Sequence, residues 1–187
     1  LFPFQGSPVT RGRKHVFNGM LIYDRQSKMM IDYLAGPRKY KKFAALYQDD
    51  EYGKAFLTAF EKDLARLGLK MTAAESVKRG VTDVSAQMAK LQAAKPEVLF
   101  IVLTPGPGAQ ALKERQKIGW ADVVMVSSGP LTDERYLALA GDAAEGVEGL
   151  SLWPDPVASD LPAMKLYREQ MQKYFPKNEP NRYSLSG

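Results

Sequence analysis

The chain predicts a three-layer α/β fold built on a doubly wound, parallel, five-stranded sheet in the order 2-1-3-4-5. Three observations carry this expectation. Apolar runs of strand length alternate with helical stripes from about residue 22 onward. Strands separated by helices need right-handed crossovers, so they pair in parallel and are covered on both faces. Val98 to Leu103 is apolar without interruption, as a central strand buried on both faces must be. Phe43 to Tyr47 runs straight into the acidic loop Gln48-Asp-Asp-Glu-Tyr-Gly53 and then into an amphipathic helix. A strand that delivers a polar loop to the sheet rim is how open α/β sheets place their ligands.

Each element follows from a local pattern. Residues 23–34 space Met29, Met30, Ile31, Tyr33 and Leu34 as a helix does, with Asp24 near the start. Residues 43–47 form the first strand. Residues 54–67 carry the stripe Phe56, Phe60, Leu64 and Leu67, and Gly68 stands where a helix C-terminus favours glycine. Residues 70–77 read as a short strand. A helix over 82–94 takes Thr82 or Asp83 as its cap and turns Val84, Met88 and Leu91 inward. The third strand is 98–103, followed by a helix over 109–118 that ends at Gly119. A strand over 123–126, a helix over 133–140 closed by Gly141, a strand within 146–153 and a helix over 161–174 complete the pattern. The last helix stops before Pro176. Residues 1–20 are rich in Gly, Pro, Arg and Lys and read as an incoming linker.

Composition narrows the chemistry. The 187 residues are 45% apolar and 25% charged, ordinary for a globular chain with a real core. No apolar run approaches the ~18 residues that span a bilayer. The net charge of +5 comes from scattered basic residues. No basic helix face interleaves with aromatics, so a nucleic-acid partner is not expected. With no cysteine there are no disulfides, thiol nucleophiles or cysteine metal sites. His15 is the single histidine; it sits among Arg11, Arg13 and Lys14 in a loop-like stretch and reads as a surface residue. The chain starts at Leu1 without Met or a signal-peptide pattern and stops where the pattern predicts the start of a helix, so it reads as a fragment of a longer protein.

The ligand crevice of an open parallel sheet lies at the carboxyl ends of its strands. The residues there are Gln48 to Tyr52, Thr104-Pro-Gly-Pro-Gly108, Ser127-Ser128-Gly129 and Trp153-Pro154-Asp155. These four loops should converge and offer hydroxyls, backbone amides and aromatic rings, a set suited to a small polar molecule. Three rival readings fail on particular residues. A phosphoacceptor domain has paired acids such as Asp49 and Asp50, but needs an Asp and a Lys where Thr104 and Trp153 stand. A dinucleotide site would use Gly106-Pro-Gly-Ala-Gln-Ala111, yet the acid expected some 20 residues on falls at Ser127-Ser128. Asp49, Asp50, Glu51 and Asp155 offer carboxylates for a hard cation, but acids just before a helix serve as caps and dipole partners. No cofactor, metal or catalytic residue is expected.

Four segments together resemble a known family. The stretch Tyr47-Gln-Asp-Asp-Glu-Tyr-Gly53 resembles the first strand, loop and helix of the second lobe in the branched-chain amino-acid-type periplasmic substrate-binding proteins of ABC transporters. His15-Val-Phe-Asn18 resembles the way into that lobe. Ala140-Gly-Asp-Ala-Ala-Glu-Gly-Val147 resembles the segment before its fifth strand, and Pro180-Asn-Arg-Tyr-Ser-Leu-Ser-Gly187 the return to the first lobe. The resemblance implies one flavodoxin-like lobe of a type I periplasmic binding protein: residues 1–15 end the first lobe and cross over, 16–178 form the second lobe, and 179–187 cross back.

The resemblance also implies function. The chain would be part of an extracytoplasmic, periplasmic solute-binding component that binds without chemistry and delivers to a membrane ABC permease. Tyr52 matches a tyrosine that packs on the ligand, Thr104 and Pro105 match a position that is often aromatic in amino-acid binders, and Gln5 and Gly6 match a first-lobe loop whose amides can meet a ligand carboxylate. Ser127, Ser128 and Gly129 stand where amino-acid binders carry an acid for the ligand's ammonium, and Tyr23 sits near the mouth. A buried ammonium without a counter-charge is disfavoured, so a simple α-amino acid is not expected; the expected ligand is a small molecule such as an amino acid-like compound or an aromatic or aliphatic carboxylate. Asp155 is the residue that would replace the missing acid. An isolated lobe exposes its cleft face and is expected to self-associate. Two other readings stay open: a ligand-sensing domain of a receptor or regulator, and an enzyme on a flavodoxin-like sheet.

Overall fold

The computed structural model describes residues 6–7, 12–132, 134–181 and 184–185. The helix α1 (Tyr23–Ala35) precedes β1 (Phe43–Gln48), α2 (Glu51–Arg66), β2 (Met71–Val77) and α3 (Ser85–Ala93). Next come β3 (Val98–Val102), α4 (Pro105–Lys117), β4 (Val124–Ser127), α5 (Glu134–Ala140), β5 (Glu148–Gly149) and α6 (Pro162–Tyr174). Short 3-10 turns lie at Gly129–Thr132 and Gly141–Ala144. Every strand pair is parallel, and the sheet order is β2-β1-β3-β4-β5, as expected. The chain divides into two compact units, Leu1–Leu150 and Ser151–Gly187. Among the described residues no helix is long and apolar enough to cross a membrane.

Strand side chains alternate between the two faces of a sheet, and the core divides accordingly. Ala44, Leu46, Leu99, Ile101 and Met125 join Met88, Leu91 and Leu112 of α3 and α4, with Tyr136 of α5, on one face. Phe43, Ala45, Phe100, Val102 and Val126 join Ile31, Leu34, Phe56, Phe60 and Leu64 of α1 and α2 on the other. The rings of Phe60 and Phe100 stack at 4.0 Å, and Phe100 stacks on Phe43 at 6.0 Å. The buried pair Ser27 Oγ and Asp63 Oδ2, 2.7 Å apart, fastens α1 to α2.

Several boundaries differ from expectation, each for a local reason. The helix α2 starts at Glu51 rather than Lys54, because Asp50 accepts the Gly53 amide at 3.1 Å and caps it. The helix α4 starts at Pro105 rather than Ala109: the Gly108 amide already donates to the Thr104 carbonyl at 3.0 Å. Proline suits a first turn, whose amides lack intrahelical partners anyway. Gly108 then lets α4 close on its neighbours, since a Cβ there would sit 2.8 Å from the Leu131 side chain. Neither Thr82 nor Asp83 is the cap of α3; that position is Val84, and Asp83 instead accepts the Ser85 amide at 2.9 Å. Leu67 lies past the end of α2 and is 40% exposed, so it leaves the predicted apolar stripe. The fifth strand is only two residues long.

Candidate functional site

The first strand ends on a buried polar residue. Gln48 is 2% exposed, and its amide bridges two loops: Nε2 donates to Asp50 Oδ2, and Oε1 accepts from Thr104 Oγ1 at 3.0 Å. The loops after β1 and β3 are therefore tied together beneath the rim. Asp50 uses its other oxygen to cap α2, and Asp49 pairs with Lys54 Nζ at 2.7 Å. Both acids thus serve the helix start, and the Lys54 ammonium holds the Asp49 carboxyl below its usual range. Among the described residues no group of three His, Cys, Asp or Glu side chains gathers as a metal set.

Tyr52 projects from the first turn of α2 and is half-buried. Its ring meets Tyr23 edge-on at 5.6 Å and Phe56 edge-on at 5.6 Å. Tyr23 in turn packs on Phe56 at 4.5 Å, so an aromatic column runs from the rim into the core through Phe60. The Tyr52 hydroxyl lies 2.6 Å from Ser128 Oγ, which joins the loops after β1 and β4. Burial raises the Tyr52 pKa well above the ordinary phenol value, against the opposing pull of Ser128. The ring is therefore a neutral phenol at any physiological pH.

The other expected residues take distinct places. Ser127 is fully buried and belongs to the opposite face from Ser128; its hydroxyl meets Tyr136 OH at 3.4 Å within the α4–α5 core. Thr104 and Pro105 are half-buried at the start of α4, and the Thr104 side chain turns to Gln48 instead of capping its helix. Gly129 begins the turn after β4, with Gln26 Oε1 3.9 Å from the position of a Cβ there. Gly6 is buried against Tyr23: its carbonyl accepts the Tyr23 amide at 2.7 Å, and a Cβ would collide with the ring at 2.5 Å. The Gly6 amide also bonds the Tyr23 phenol, which opposes the rise that burial imposes on its pKa. Gln5 lies outside the described residues. Trp153 and Asp155 belong to the second unit, where Asp155 Oδ1 accepts the Val157 and Ala158 amides at 2.7 and 2.8 Å. His15 is exposed.

Three residues take roles that the sequence did not assign to them. Gln48 links the two loops, Gln26 lies buried beside Gly129 and donates to the Leu21 carbonyl at 2.5 Å, and Tyr136 receives Ser127. The readable signal for Gln48 was a lone amide at the end of an apolar run. Nothing local marked Gln26 or Tyr136.

With one parallel sheet and a hydroxyl-rich rim at its carboxyl ends in view, the relatives of this chain fall into place. The family model for periplasmic binding protein matches residues 6–187. The chain belongs to that family. It is a family of solute-binding proteins, not of enzymes. A curated relative, the Leu/Ile/Val-binding protein homolog 3 of Brucella melitensis, is 29% identical over 138 residues, covering 74% of this chain and 37% of its own length. A branched chain amino acid ABC transporter structure from Thermus thermophilus, with bound valine, superimposes with a TM-score of 0.81 at 24% identity. That match covers 93% of this chain and 46% of the other. A solute-binding protein from R. palustris in complex with 4-hydroxybenzoate gives a TM-score of 0.75 at 24% identity, over 90% of this chain and 46% of the other. The chain thus spans less than half the length of these relatives.

Proposed function

We propose that this chain is the second ligand-binding lobe of an extracytoplasmic, periplasmic solute-binding protein that serves an ABC permease. Residues 16–178 form the lobe, 1–15 carry the end of the first lobe and the crossover, and 179–187 lead back. The observation that carries the reading is the bond between Tyr52 OH and Ser128 Oγ at 2.6 Å. It joins two rim loops 76 residues apart in sequence and forms one half of a clamp. The first lobe supplies the other half, and ligand favours the closed state through the contacts it adds there.

The ligand is a small carboxylate, aromatic or aliphatic, rather than a simple α-amino acid. Support comes from the end of β4 and the turn that follows, where Ser127 to Gly129 offer no acid for an ammonium, and an unpaired buried ammonium is costly. The fold itself accommodates both classes, since one neighbour holds valine and another 4-hydroxybenzoate. Thermal-shift screening of the full-length protein against leucine, valine, benzoates and short aliphatic acids tests this. Stabilisation by the acids, and its loss in Tyr52→Ala, is the expected result. Stabilisation by leucine or valine alone overturns the ligand class, and tight binding by Tyr52→Ala removes that residue from the site.

A further inference from the structure

The directions of the hydrogen bonds made by the Thr104 and Tyr52 hydroxyls can be assigned, and both run inward. A carboxylate only accepts, so Asp50 fixes the Gln48 amide with its nitrogen toward Asp50 and its oxygen toward Thr104. The Thr104 hydroxyl must then donate to Gln48 Oε1, 3.0 Å away. On the neighbouring loop, Ser128 Oγ lies 3.3 Å from the Ile101 carbonyl, which can only accept. Ser128 has one proton, directed there, so the 2.6 Å contact with Tyr52 is made by the Tyr52 hydroxyl donating to Ser128. The phenol is also the stronger acid of the two and the better donor. Two relays result, Thr104 to Gln48 and Tyr52 to Ser128 to Ile101. Their inner members are buried, while Thr104 and Tyr52, at the outer ends, are half-buried.

A hydroxyl whose proton points inward presents only lone pairs outward. We infer that the part of the ligand meeting Thr104 and Tyr52 is an uncharged hydrogen-bond donor, a hydroxyl, phenol or primary amide; this rests on the solute-binding reading above. A charged donor is disfavoured because two of the acids beside these relays are engaged and the third is exposed. Asp50 holds the Gly53 amide and Gln48, Asp49 is paired with Lys54, and Glu51 is exposed in the first turn of α2. The ligand's own carboxylate is therefore held away from these two hydroxyls.

Isothermal titration of the full-length protein with 4-hydroxybenzoate, 4-fluorobenzoate, benzoate, 5-hydroxyvalerate, valerate, leucine and valine tests the inference. The hydroxylated member of each acid pair is expected to bind about tenfold more tightly than its partner, the worth of one well-made hydrogen bond. In Ser128→Ala the Tyr52 proton loses its acceptor and turns outward, and in Thr104→Val one outward lone pair is gone. Each variant, shown to be folded by its melting temperature, is expected to shrink the hydroxyl preference several-fold. Equal binding within both pairs, preference for leucine or valine, or an unchanged ratio in both variants overturns the inference and leaves the solute-binding reading intact. Binding by no member of the panel overturns that reading and the inference with it.

Discussion

Gly53 sets how closely α2 can sit on the end of β1. A Cβ there would lie 1.9 Å from the Gln48 carbonyl oxygen, so any side chain must push the helix off the strand. Gly53→Ala is expected to cost about 3 kcal/mol, at the upper end for overpacking, and to weaken ligand binding by displacing Tyr52. Urea denaturation of the variant at parent-like midpoint would contradict this. Tyr136 makes a second single-residue case. Burial pushes its pKa up to about 12, against the Ser127 hydroxyl, which pulls it down. A raised pKa means the folded protein holds a proton that the unfolded chain releases near the ordinary value of 10. Its contribution is thus complete below pH 10 and is lost as pH climbs toward 12. Tyr52 acts in the same sense. Tyr136→Phe should make the fall in melting temperature over that interval shallower without abolishing it; an unchanged slope would exclude Tyr136 as a source.

At the scale of elements, the start of α2 is where fold and site share one residue. Asp50 caps the helix through Gly53 and orients Gln48, which holds Thr104. Asp50→Ala should cost about 1 kcal/mol through the lost cap and also release the loop after β3. Asp50→Asn keeps a capping oxygen and should recover most of the stability. Chemical denaturation of the two variants checks the ordering, which a purely electrostatic role for Asp50 would not produce. The α1–α2 layer is joined differently, by the buried Ser27–Asp63 bond and by the surface cluster in which Asp32 meets both Lys28 and Arg66. The exposed ion pairs add little on their own, so packing of Ile31, Leu34, Phe56 and Phe60 holds the layer.

Across the whole chain, stability should follow sheet position. The strand β3 is buried along its full length between β1 and β4, whereas β5 is a two-residue edge whose Glu148 is anchored by Arg38 at 2.9 Å. Amide hydrogen exchange should therefore be slowest in β1 and β3 and fastest, within the sheet, at β5 and the outer side of β2. Protection at β5 matching that of β3 would show a cooperative unit larger than the sheet order implies.

Element order, the parallel sheet, its 2-1-3-4-5 order and the inward set Val84, Met88 and Leu91 were readable in the chain, because apolar periodicity and crossover handedness act locally or by simple rules. The boundaries at Glu51 and Pro105 were less so, since caps and first-turn prolines look like loop residues until the helix is built on them. Within the first unit the strand ends at Gln48, Thr104 and Ser128 were legible as polar, and it is tertiary pairing that brings Tyr52 to Ser128 and Thr104 to Gln48. Side-chain direction was settled by the same pairing: adjacent serines at 127 and 128 face opposite sides of the sheet, one toward Tyr136 and one toward Tyr52. Pattern alone could name the strand ends that carry polar residues. Which hydroxyl meets which partner, and which way its proton points, depends on residues distant in sequence and emerges only once the sheet has closed its layers around them.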